Sequence, residues 1–85
     1  LENSWVAIAD TDIPSYAITQ DRKVIFKGAL TGGTSTLYAS IANFPSLIAP
    51  AKTNYIDNVY IQGNLIRLNV AGITNIPLNT ISYYL

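Results

Sequence analysis

Apolar and polar positions alternate with a period of two through most of this chain, in short runs separated by glycine, proline, acids and amides. That period places successive side chains on opposite faces of a strand. The first run is Ser4-Trp5-Val6-Ala7-Ile8, and it ends in Ala9-Asp10-Thr11-Asp12-Ile13-Pro14, a polar turn closed by proline. Tyr16-Ala17-Ile18-Thr19 and Val24 to Leu30 follow as two arms. Gln20-Asp21-Arg22-Lys23 between them suits a type I turn in a tight hairpin. In the second arm Val24, Phe26 and Leu30 take one face and Ile25 and Lys27 the other. Gly28 inside it predicts a bulge or a close backbone approach.

Thr31-Gly32-Gly33-Thr34 predicts a second hairpin, since Gly-Gly accepts the positive φ of a primed turn. Leu37, Ala39 and Ile41 then alternate against Tyr38 and Ser40. The stretch from Asn43 to Pro50 is expected to cross over outside any sheet, because Pro45 and Pro50 remove ladder donors. The third predicted hairpin runs Tyr55 to Ile61, turns at Gln62-Gly63-Asn64, and returns along Leu65 to Val70. Ile66, Leu68 and Val70 face one way there; Leu65, Arg67 and Asn69 face the other. In the last run, Thr80 to Leu85, Ile81, Tyr83 and Leu85 alternate with Ser82 and Tyr84. About seven short strands with turn signals between them predict an all-β fold, a small antiparallel β-barrel or β-sandwich. No apolar run has helical period, and Ile, Val and Thr make up 24 of the 85 residues, which favours strands further.

Composition adds a size argument. A single domain spanning residues 1–85 folds to about 4,900 Å² of surface from roughly 13,300 Å² unfolded, a thin core. The chain has no Cys, so no disulfide reinforces that core. Charged residues are only 12% of the total, against roughly 25% in an average domain. A thin core under a charge-poor surface points to a homo-oligomer. The missing initiator Met and the apolar last run lead us to expect the C-terminal part of a longer protein.

The same counts narrow the chemistry. With no His and no Cys there is no imidazole base, no thiol nucleophile and no ordinary zinc, copper or haem site, so no cofactor is expected. Net charge is +0, which argues against a phosphate-tracking nucleic-acid binder. No apolar run approaches the ~20 residues of a membrane span, so membrane insertion is not expected. Asp10 and Asp12 read as Asx-type turn residues before Pro14, or as ligands of a weak hard-cation site. A glycosidase needs two carboxylates across a cleft, and so small a chain hardly builds one, so no catalytic residue is assigned. Gly32-Gly33 lacks the Lys and the following helix of a phosphate cradle. Arg22, Lys23 and Lys27 read as a solvated edge that deters edge pairing. Trp5 reads as a core or interface plug.

Binding chemistry is better represented. Asn54 to Gln62 carries aromatic, amide and acidic side chains in one hairpin arm, and Arg67 lies on the return strand. Flat aromatic rings stack on sugar faces, while carboxylates, amides and Arg pair with hydroxyls or a phosphate. The candidate ligand contacts are therefore Tyr55, Asp57, Asn58, Tyr60 and Arg67. The competing reading makes the two tyrosines amphipathic strand residues with their hydroxyls at the rim.

The order of the segments carries a resemblance. Leu1-Glu2-Asn3-Ser4-Trp5-Val6 is followed by Pro14-Ser15-Tyr16-Ala17, by Asp21 to Leu30 with its Val24 and Gly28, and by Gly32-Gly33. Phe44-Pro45, Ala49-Pro50 and the closing Asn79 to Tyr84 complete the series. This order resembles the C-terminal head domains of phage tail fibres and phage receptor-binding proteins, across nearly the whole chain. Ala49 stands where the family often has an Arg before its second Pro. The resemblance implies a β-barrel head, trimeric on a fibrous stalk of a fibre or baseplate protein, placed on the virion at the tail tip or fibre. It implies host adhesion through bacterial cell-wall polysaccharide or teichoic-acid-like polymers, at sites between neighbouring subunits, with other tail and baseplate proteins as further partners. Its scarce charge then suits a threefold axis lined by Ile, Leu and Tyr. The alternative is a structural trimerisation or capping knob that binds nothing. A third reading is a glycan-cleaving fragment using Asp10, Asp12 or Asp57.

Overall fold

The computed structural model of the protein describes residues 1–8 and 14–85. Asp10 and Asp12 lie outside the described residues. The β-rich runs become ten short strands: β1 (Val6–Ala7), β2 (Ser15–Ile18), β3 (Lys23–Lys27), β4 (Ala29–Thr31), β5 (Ser40–Asn43), β6 (Asn54–Ile56), β7 (Val59–Gln62), β8 (Leu65–Leu68), β9 (Asn75–Pro77) and β10 (Ser82–Tyr84). Single 3₁₀ turns occupy Ser46–Ile48 and Leu78–Thr80, and the described residues contain no α-helix. No helix is long and apolar enough to cross a membrane among the described residues.

The strands form three antiparallel sheets, ordered β1-β4-β9, β10-β3-β2 and β5-β8-β7-β6. All-β is therefore the fold class. Among the described residues none of the three sheets closes into a barrel, and each keeps two open edges. There are more strands than the seven expected, for local reasons. Gly28, at φ 106, breaks the Val24–Leu30 run so that β3 and β4 join different sheets. Asp57-Asn58 breaks the Tyr55–Ile61 run into β6 and β7. Asn75–Pro77 adds a strand that Pro77 had hidden, and an edge position tolerates that proline.

The β2–β3 hairpin forms where expected, with Ser15 opposite Lys27 and Ile18 opposite Val24; Lys23 belongs to β3 and not to the turn, which is one residue shorter than expected. Its turn puts Arg22 at φ 66, and the Thr19 amide donates to the Lys23 carbonyl at 2.9 Å. The Gly32-Gly33 hairpin does not form. β4 pairs instead with β1 and β9, and β5 pairs with β8. The reason is Trp5, which is 2% exposed and lies against Gly33, where a Cβ would overlap the indole ring. Its Nε1–H donates to the Thr34 carbonyl at 3.1 Å. The two glycines thus make a seat for the indole, and the chain reaches β5 through the exposed residues Leu37 and Tyr38. The Asn43–Pro50 segment leaves its sheet after Asn43 as expected.

One apolar cluster gathers the inward residues of all three sheets, including Leu30, Val24 and Leu68. Alternation within strands explains it: Val24 and Phe26 on β3, and Ile66 and Leu68 on β8, point inward and are buried. Each such aliphatic side chain stabilises the fold by about 1.5–3 kcal/mol when fully buried. Phe26 joins sheet to crossover, with its ring 6.0 Å from Phe44 and 6.2 Å from Tyr83. The radius of gyration, 12.0 Å, matches the roughly 12 Å expected of a compact chain this long.

Candidate functional site

The four-stranded sheet has an inner and an outer face. Val59, Ile61, Ile66 and Leu68 fill the inner face and are buried. Residues between them point outward, so the pairings Tyr55 with Tyr60 and Tyr60 with Arg67 place three side chains side by side. The two-residue turn Asp57-Asn58 makes this possible. It returns the chain immediately, with Asp57 at φ 52, a conformation Asp tolerates better than most residues. Had Tyr55 to Ile61 run on as one arm, Tyr55 and Tyr60 would lie on opposite faces.

The outcome is an aromatic platform. The Tyr55 and Tyr60 rings stack with centroids 5.5 Å apart and planes 26° from parallel. Tyr38 meets Tyr60 edge-on at 6.3 Å and 80°. Tyr60 is only 8% exposed beneath its neighbours, whereas Tyr55 is 69% and Tyr38 58% exposed. Aromatic pairs of this kind contribute about 0.5–1.5 kcal/mol beyond their area, so the buried ring holds the exposed ones in place.

Arg67 continues the platform towards β5. Its Nη1 donates to the Tyr38 carbonyl at 3.1 Å, and its buried Nε has no partner. The Tyr38 residue, at φ 68, turns that carbonyl towards the guanidinium, while its amide donates to the Leu68 carbonyl at 3.0 Å. Across from Arg67 sits Ser40. The Ser40 hydroxyl donates to Glu2 Oε1 at 2.8 Å, and Asn3 Nδ2 donates to the Ser40 carbonyl at 2.6 Å. The outer face therefore runs from aromatic to cationic to hydroxyl and carboxylate.

Three of the five expected contacts, Tyr55, Tyr60 and Arg67, are brought together. Asp57 and Asn58 are exposed at the turn, where they border a separate recess of about 330 Å³ with Ile76, Pro77 and Thr80. Tyr38, Ser40 and Glu2 belong to the face without having been expected there. The alternation of Tyr38 and Ser40 against Ala39 and Ile41 was the available signal, but only the β5–β8 pairing places them beside Arg67. No protein-family model matches the chain, and neither does any curated protein or solved structure with which it was compared.

Proposed function

We propose that the chain is a host-receptor-binding head of a phage tail fibre or baseplate protein, one that adheres to bacterial surface saccharide and carries out no turnover. The observation that carries this reading is the exposed Tyr55 ring held flat on the buried Tyr60, in register with Arg67. A fixed aromatic face stacks on the C–H face of a sugar ring, and Arg67 supplies donors to its oxygens. The likeness of segment order to phage heads supports the same reading. Single sites of this type are weak, because hydroxyl hydrogen bonds largely replace those to water. Several heads on one particle raise avidity by about 10²–10⁴.

The reading includes a homotrimer whose sheets pack as layers of a sandwich-like head. Supporting it, Val6 and Ile8 at the β1 edge are 53% and 49% exposed, and Tyr16 and Ile18 on β2 are 42% and 40% exposed. The β2 edge strand carries no Lys, Arg or internal Pro, three of the devices that guard an open edge. The same exposed edges favour the second reading, a trimerisation or capping knob without a ligand.

Two measurements test these readings on the intact chain. Light scattering at micromolar concentration should give three times the 9.2 kDa chain mass, and a single-chain mass overturns the trimer. Sedimentation with purified bacterial cell walls should retain the protein and lose most of it with Tyr55→Ala. Assembly without any retention identifies the knob.

A further inference from the structure

We infer that the open edge of β2 is a second binding site. It takes an extended peptide segment of another protein by strand addition and seats one aromatic side chain of that segment in the recess beneath the strand. The inference does not rest on the saccharide reading, and the recess involves none of Tyr38, Tyr55, Tyr60 and Arg67.

The main chain of β2 is the first observation. β2 is the last strand of its sheet. The Thr19 amide bonds across to the Lys23 carbonyl, so by antiparallel alternation Ala17 and Ser15 also bond towards β3. The N–H and C=O groups of Tyr16 and Ile18 therefore point to the open side. Among the described residues no strand pairs with them there. A row of donors and acceptors at strand spacing is complementary to the main chain of another strand.

The side chains of the same strand are the second. Tyr16 and Ile18 lie opposite the buried Phe26 and Val24, so they share the core-facing side of the sheet, yet both are exposed. Below Tyr16 is a recess of about 380 Å³ between β2, the end of β5 and the crossover. Tyr16, Phe26, Ala42, Phe44, Pro45 and Leu78 line it, and no charged side chain does among the described residues. The Tyr16 and Phe44 rings stand 6.4 and 6.0 Å from that of Phe26, at 53° and 54°, so three tilted rings form its wall.

Edge and recess together specify the occupant. The edge fits a strand, and a strand laid on it directs every second side chain inward beside Tyr16. An engineered cavity of about 150 Å³ holds a benzene ring, so this recess has room for one aromatic side chain. Tilted packing on Phe26 and Phe44 favours such a ring over an aliphatic chain. The uncharged lining disfavours a charged one, which loses its hydration there without a partner. The segment is therefore extended, with one inward aromatic residue among uncharged neighbours. A second copy fits less well, because β2 pairing with itself runs about a twofold axis, at odds with threefold assembly.

The experiment titrates synthetic octapeptides, capped at both ends, into the intact chain and follows binding by calorimetry and mass by sedimentation velocity. The first peptide alternates threonine and valine around a central phenylalanine, with a lysine at each end for solubility. The second has alanine in place of the phenylalanine. The third keeps the phenylalanine and is N-methylated at every threonine and valine. The uncharged small molecule N-phenyl-1-naphthylamine is titrated alongside. Ile18→Pro removes an outward N–H and spares the ladder to β3, while Ala42→Leu fills the recess. Circular dichroism confirms that each variant is folded. The phenylalanine peptide should bind the wild type tenfold or more tighter than either of the others. Ile18→Pro should weaken it tenfold or more, and Ala42→Leu should remove the preference for phenylalanine over alanine. Failure of the phenylalanine peptide to bind the folded wild type overturns the inference. Equal binding of the alanine peptide, or of the N-methylated one, overturns it as well, since the recess or the edge then plays no part. Binding of the naphthylamine without any peptide binding assigns the recess to a small molecule. Self-association lost in Ile18→Pro, without peptide binding, assigns the edge to a second copy. Either result overturns the peptide site. If Ile18→Pro does not fold, the N-methylated peptide decides the edge; if Ala42→Leu does not, the alanine peptide decides the recess. No saccharide is present, so every one of these failures leaves the reading of the tyrosine face standing.

Discussion

The Tyr83 hydroxyl donates to the main-chain oxygen of Ile48 at 2.6 Å, inside the apolar cluster. The bond ties the last strand to the 3₁₀ turn of the crossover, segments far apart along the chain. Tyr83 is 4% exposed and Ile48 fully buried, so neither group has water as a substitute partner. Tyr83→Phe keeps the ring and strands the carbonyl. It should lower stability by about 1–3 kcal/mol. Urea unfolding checks this as a fall in midpoint with an unchanged slope.

The same tyrosine makes stability depend on alkaline pH. Burial pushes its hydroxyl up from 10.0 to about 12. Above pH 10 the unfolded chain gives up this proton, while the folded chain holds it to about 12. The folded state then binds more protons, so stability falls as pH rises. The contribution is whole below pH 10 and is lost progressively between pH 10 and 12. Urea midpoints at pH 8 and pH 11 should therefore drop further for the wild type than for Tyr83→Phe. Equal drops would show that Tyr83 titrates alike in both states.

Gly32 and Gly33 should respond differently to alanine. At Gly33 a Cβ overlaps the Trp5 indole, so the ring must leave its seat and its bond to Thr34. At Gly32 a Cβ meets open space, and the only penalty is the left-handed φ of +76. Gly33→Ala should destabilise by about 3 kcal/mol and Gly32→Ala by about 1 kcal/mol. Trp5 is the single tryptophan, so its fluorescence reports directly. The emission should shift to the red in Gly33→Ala and stay in place in Gly32→Ala.

Tyr55 and Tyr60 should separate binding from folding. Tyr55 is mostly exposed, and its truncation removes one stacked pair, so Tyr55→Ala should change stability by no more than about 1 kcal/mol. Tyr60 supports both Tyr55 and Tyr38 and is buried. Tyr60→Ala should cost about 3 kcal/mol and disorder the whole face. Cell-wall retention should fall in both variants, while thermal unfolding should shift strongly only in Tyr60→Ala.

Much of this fold was legible in the residues because a strand's two faces follow its period. The alternation through Val24 and Phe26, and through Ile66 and Leu68, already named the inward side chains. The charged turn between β2 and β3, the Gly63-Asn64 turn and the break at Gly28 were equally local, since each depends on backbone preferences of a few neighbouring residues. The Tyr55, Tyr60 and Arg67 group was readable as chemistry for the same reason.

Tertiary structure decided what depends on partners distant in sequence. Gly32-Gly33 carries the composition of a hairpin, yet Trp5 occupies that position, because burying an indole outweighs the pairing of two short strands. Asp57-Asn58 competes as a turn with a run that also suits a strand, and the cross-strand stacking of Tyr55 on Tyr60 accompanies the turn. Tyr38 and Ser40 reach Arg67, and Glu2 reaches Ser40, only through the register of β5 on β8. Register is a non-local quantity, set by how three sheets share one core, and no short window of residues contains it.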